Sequence, residues 1–80
     1  MNRESNSRRL KTIGLNVAYY RKLRRANQRD LAEKAQLSKT LISHIEASNM
    51  ETNPTLLTML SIANALEIPV NKLFECDQCE

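Results

Sequence analysis

Between Met1 and Asn53 the chain has no proline and only one glycine, Gly14; its two prolines, Pro54 and Pro69, come later. Proline ends helices and glycine supplies the left-handed corners of turns. A chain this poor in both, with an apolar set dominated by Leu, Ile and Ala, has the composition of an all-α domain. Its 80 residues close one hydrophobic core and leave too little for a second. The expectation is a compact five-helix domain over residues 8–75, with a loose polar arm at 1–7 and a short tail at 76–80.

The apolar spacing places the helices. Leu10, Ile13, Val17, Tyr20 and Leu23 recur at three- and four-residue steps and predict a first helix from Arg8 to Ala26. Asn27 offers a cap, with Asp30 three residues on as an approximate capping box, for a two-turn second helix over 28–36 that turns Leu31, Ala32 and Ala35 inward. Ser38 caps a third helix. Leu41, Ile42 and Ile45 share one side of it, while Lys39, Thr40, Ser43 and His44 share the other. That outer face is polar and mostly uncharged, unlike a surface helix laced with Glu–Lys pairs. Residues 47–54 read as a loop. Beyond it, Thr55 caps a fourth helix defined by Leu56, Met59, Ile62, Ala63 and Leu66, and Pro69 precedes a short fifth over 70–74. There Leu73 and Phe74 either finish the core or face a partner subunit.

Charge is divided unevenly. Residues 1–25 carry eight Lys/Arg against Glu4 alone, whereas residues 46–80 carry six Asp/Glu against Lys72 alone, within a net charge of +3. A basic half suits an anionic partner, nucleic acid or an acidic surface, although a solvated basic helix face has the same composition. The polar start of the chain does not read as a signal peptide and no apolar run approaches a bilayer span, which implies a soluble, cytoplasmic protein. Cys76 and Cys79 form a lone CxxC. A redox motif needs a strand and a helix N-terminus around it, and a zinc site needs a second ligand pair, so an incidental tail is the simplest reading. His44, the single histidine, has no Cys, Asp or Glu at ligand spacing. No cofactor, metal or catalytic constellation is expected, and the chain does not read as an enzyme.

The stretch QRDLAEKAQLSKTLISHIE, residues 28–46, resembles the helix-turn-helix core of the phage repressor and Cro family of bacterial and phage regulators. NPTLLTMLSIANALEIPVNKLF, residues 53–74, is similar to that family's fourth and fifth helices. The resemblance implies a sequence-specific double-stranded-DNA binder, a dimer on an inverted repeat, with its third helix in the major groove. It implies base reading by Lys39, Thr40 and His44, with Leu41 at the edge of the groove. Phosphate contacts fall to Gln28 and Ser43, and by position to Asn49, Thr52 or Asn53. Arg21 and Glu46 match a family ion pair joining helix 1 to the end of helix 3. Apart from the resemblance, the apolar Leu73 and Phe74 of the C-terminal segment are the expected contacts of a dimer. Two departures accompany the resemblance. Gln36 stands where the family often has glycine in the turn, and Ser48 where it commonly has glycine after the Glu. The rival reading is a protein-interaction module of the same fold, an antitoxin or adaptor, with its basic face merely solvated.

Overall fold

The computed structural model describes residues 3–47 and 54–75. Within them lie four α-helices, α1 Arg3–Leu23, α2 Gln28–Ala35, α3 Lys39–Glu46 and α4 Leu56–Leu66, followed by a 3-10 turn, Val70–Leu73. The expected fifth helix is thus one tight turn. Pro69 sets its start without a side-chain cap, and the Lys72 and Phe74 amides close three-residue rings onto Pro69 and Asn71.

Side-chain caps set three of the starts. Asn27 accepts from the Asp30 amide while the Asp30 carboxylate accepts from the Asn27 amide, a full capping box. Ser38 accepts from the Leu41 amide and Thr55 from that of Thr58. Helix α1 begins five residues ahead of the expected Arg8, taking residues 3–7 out of the expected arm. Apolar periodicity marks only the part of a helix that faces a core, and nothing in that polar run forbids further turns.

Helices α1, α2 and α4 end alike. Arg25, Gln36 and Glu67 adopt left-handed backbone with φ near 60°, and the next residue donates five back, Ala26 to Arg21, Leu37 to Ala32 and Ile68 to Ala63. These are Schellman closures made without glycine. Helix α1 therefore stops at Leu23 rather than Ala26.

Helix α1 packs on α3 and the C-terminal turn, and α2 packs on both α3 and α4. The core gathers Ile13 and Val17 from α1, Leu31 from α2, Ile42 and Ile45 from α3, Met59, Ile62 and Leu66 from α4, and Leu73 from the turn. Val17, Ile42, Ile62, Leu66 and Leu73 are fully enclosed, each contributing about 1.5–3 kcal/mol by burial. Leu23 and Leu56, expected inside, are exposed because each lies beyond the edge of its helix's buried arc. Among the described residues one polar side chain enters the interior. Asn16 donates through Nδ2 to the Leu73 carbonyl at 2.9 Å and the Glu75 carbonyl at 2.7 Å, clipping the C-terminal turn to the middle of α1. No helix among the described residues is long and apolar enough to cross a membrane.

Candidate nucleic-acid interface

Helices α2 and α3 are joined by Gln36, Leu37 and Ser38. Gln36 takes the left-handed conformation (φ 61°, ψ 42°) that glycine would adopt at least cost, so the corner survives the substitution. Leu37 packs against the core and Ser38 starts α3. The turn therefore fixes the angle of α3 through three different devices: a backbone cap, an apolar anchor and a side-chain cap.

On α3, Ile42 and Ile45 are buried. Lys39, Thr40 and His44 are exposed, and Ser43 is half-buried beside them. At about 100° per residue these four span an arc of about 140° opposite the core, so they are presented together. Leu41 packs against the core as a half-buried side chain, leaving it at the edge of that face.

The end of α3 is tied back to α1 and α2. Glu46 accepts from Arg21 Nε through Oε2 at 2.7 Å and from Arg21 Nη2 through Oε1 at 3.0 Å, and Gln28 Nε2 donates to the same Oε1 at 3.0 Å. Arg21 Nη1 also donates to the Ala26 carbonyl at 2.8 Å. The Arg21 and Glu46 side chains are only 12% and 7% exposed. A bidentate pair this enclosed fixes the orientation of α3 on α1, because any other would strand a charge, and the Gln28 bond to the same carboxylate ties in α2. Gln28, assigned from the sequence to a phosphate, is therefore already committed through one amide N–H; its second remains for an outside acceptor.

Next to this network Arg21, Asn27, Gln28, Arg29 and Lys39 line an open cleft of about 430 Å³. Among the described residues neither Arg29 nor Lys39 is paired with a carboxylate. The capping box uses the Asp30 amide and leaves those of Gln28 and Arg29, at the positive end of α2, for an external acceptor. Two cations, a side-chain amide and two backbone N–H groups suit an anion with several oxygens, such as a phosphate. Arg29 was missed in the sequence because it lies outside the basic run ending at Arg25; only its place in the first turn of α2 signals it.

The remaining site residues divide. Asn49, Thr52 and Asn53, like Ser48, Cys76 and Cys79, lie outside the described residues. Leu73, expected in the core or at a dimer contact, is fully buried and finishes the core, which leaves it no surface for a partner. Phe74 is half-exposed. Tyr20 packs against the core and Tyr19 stands outside it.

Residues 17–73 match the sequence model of the helix-turn-helix family. The chain is 39% identical over 62 residues to an immunity repressor protein of Bacillus phage phi105, covering 78% of this chain and 42% of that one. It is 33% identical over 63 residues to the HTH-type transcriptional regulator SinR of Bacillus subtilis, covering 79% and 56%. The chain thus spans about half the length of the curated relatives it matches. Among solved structures, the N-terminal DNA-binding domain of SinR from Bacillus subtilis superposes with a TM-score of 0.78 at 30% identity, covering 86% of this chain and 99% of that one. The restriction-modification controller protein C.AhdI from Aeromonas hydrophila superposes with a TM-score of 0.76 at 26% identity, covering 81% and 96%.

Proposed function

The chain belongs to the helix-turn-helix family, and on that premise we propose that it is a sequence-specific double-stranded-DNA-binding regulator of transcription that reads bases with α3 in the major groove. The observation that carries this reading is the shared exposed face of Lys39, Thr40 and His44 beside the cation-lined cleft at the start of α2. The naming of its relatives as a repressor, a transcriptional regulator and a controller supports it.

In this reading Lys39 donates to guanine O6 and N7, Thr40 meets a thymine methyl, and His44 reaches a base edge one turn on. Gln28 with its spare N–H, Arg29 and Ser43 hold phosphates and set the register without carrying sequence information. Asn49 and Thr52 belong to the same phosphate-contacting set. One recognition helix reads only a few base pairs, so two copies engage half-sites about one helical turn apart. Phe74 and the exposed Leu56, Leu57 and Leu60 of α4 supply apolar surface for that pairing. The working compartment is the cytoplasm, and no cofactor is required.

Selection of bound duplexes from a randomised library, with affinity of the selected pool followed against salt, tests this. An enriched inverted repeat is the expected result. Salt-sensitive binding without enrichment would reduce the chain to a non-specific binder. Absence of binding at low salt would replace the proposal with an interaction module of the same fold.

A further inference from the structure

Helix α1 has a second face. Leu15, Tyr19 and Leu23 are 51%, 47% and 62% exposed, and their four-residue spacing sets them in one stripe along about two turns. Exposed Lys11 extends the stripe at one end and exposed Lys22 stands beside the other. Ile13, Asn16 and Val17, on the opposite side, are buried. The Tyr19 ring stands edge-on to Tyr20, centroids 5.0 Å apart at 84°, and Tyr20 is itself packed on the core. Tyr19 is therefore held outward as an ordered anchor, the kind of aromatic that binds at low cost in side-chain entropy.

We infer that this stripe is a docking face for an acidic amphipathic helix of a partner protein. A single exposed leucine needs no explanation, but three large apolar groups in helical register around an ordered tyrosine make a patch. Its spacing matches the apolar edge of another helix. Its charge selects the flanks of that helix: Lys11 and Lys22 bracket the stripe, and no Asp or Glu occurs between Glu4 and Asp30. The same fact disfavours a second copy, since two such stripes would add basic side chains to basic side chains with no acidic group from this stretch to offset them. Because the stripe lies opposite the side of α1 that packs on the rest of the fold, a helix docked there leaves Lys39, Thr40 and His44 uncovered. The partner and the nucleic acid then occupy different faces.

The test is a nuclear magnetic resonance titration of the isotope-labelled full chain with a synthetic helix of about 18 residues, long enough to hold its shape. It carries leucines at i, i+4 and i+7 and glutamates at both flanks; a second peptide has lysine in place of every glutamate. The acidic peptide is expected to shift the amide signals of Lys11, Leu15, Tyr19 and Lys22. Leu15→Ser with Tyr19→Ala should weaken it at least tenfold while the circular dichroism spectrum is unchanged. Lys11→Glu with Lys22→Glu should reverse the preference between the peptides. The inference is overturned if the acidic peptide moves no α1 signal, or if both peptides act alike. It is equally overturned if the stripe signals depend on protein concentration without peptide, or if vesicles of anionic lipid bind the stripe and the acidic peptide does not.

Discussion

Replacing Glu46 by alanine deletes three hydrogen bonds at once, two from Arg21 and one from Gln28. The Arg21 guanidinium stays where it is, 12% exposed, with the Ala26 carbonyl as its remaining partner. Breaking an enclosed ion pair from one side costs about 3–5 kcal/mol, because the surviving charge is desolvated without compensation. The retained Ala26 bond and the residual solvent contact of Arg21 put this case near the lower end, about 3 kcal/mol. A domain of this size has about 4–12 kcal/mol in all, so the variant should be folded but weak. With a urea slope of about 1–1.5 kcal/mol per molar for so short a chain, the midpoint should fall by about 2–3 M. Urea titration by circular dichroism reads this, and the deficit should persist in about 1 M salt, where exposed pairs are screened. The double variant Arg21→Met with Glu46→Leu should recover much of the loss, since removing both charges leaves neither stranded. A Glu46→Ala deficit below about 1 kcal/mol, the range of exposed pairs, would refute the claim that this network holds the three helices together.

Other outcomes follow from single residues. Asn16→Ala should cost about 2–3 kcal/mol by leaving two carbonyls unmet, and amide exchange at Phe74 should accelerate before that of α2 does. Gln36→Gly should stabilise by about 0.5–1 kcal/mol, relief of the left-handed backbone outweighing the added freedom of the unfolded chain; thermal denaturation measures it, and a loss would contradict the assigned corner. Leu73→Ala should cost about 2–5 kcal/mol even in dilute protein, while Phe74→Ala should leave monomer stability nearly unchanged, separating core from surface. On a selected duplex, Lys39→Ala or His44→Ala should relax preference at particular bases by about 1–3 kcal/mol, whereas Arg29→Ala should weaken every duplex alike and flatten the salt dependence. Uniform losses from all three would refute the division of roles.

Helix starts were legible because a cap is a one-residue event: Asn27, Ser38 and Thr55 each bond the amide three residues on, and both partners are visible in a short window. The polar face of α3 was legible for a similar reason, since periodicity alone separates Ile42 and Ile45 from Lys39 and His44. The Arg21–Glu46 pair joins residues 25 apart and was reached through family resemblance, with the places of Arg21 one turn beyond Val17 and Glu46 next to Ile45 in agreement. Gln28 bonding to Glu46 was not foreseen, because the same amide fits an external phosphate equally well. Asn16 was invisible: its partners are backbone carbonyls 57 and 59 residues away, and a carbonyl carries no sequence signature. The edges of the apolar arcs failed too. Leu23 and Leu56 fit the helical spacing, but whether a position at the rim of an arc is covered depends on the element packed beside it.

The bonds from Asn16 to residues 73 and 75 also set an order of events during synthesis. Once α3 has emerged from the ribosome, α1, α2 and α3 can meet, but at that stage the Asn16 amide faces a half-built interior with no acceptor, and the space under it awaits Leu73. Both arrive only once residues 73–75 have been made, so the nascent chain should remain an open, chaperone-accessible helical assembly until the turn is made and then close in a single late step. A stalled or shortened product ending before Glu75 would carry that unfinished interior permanently, which makes premature termination here a route to degradation rather than to a smaller working domain.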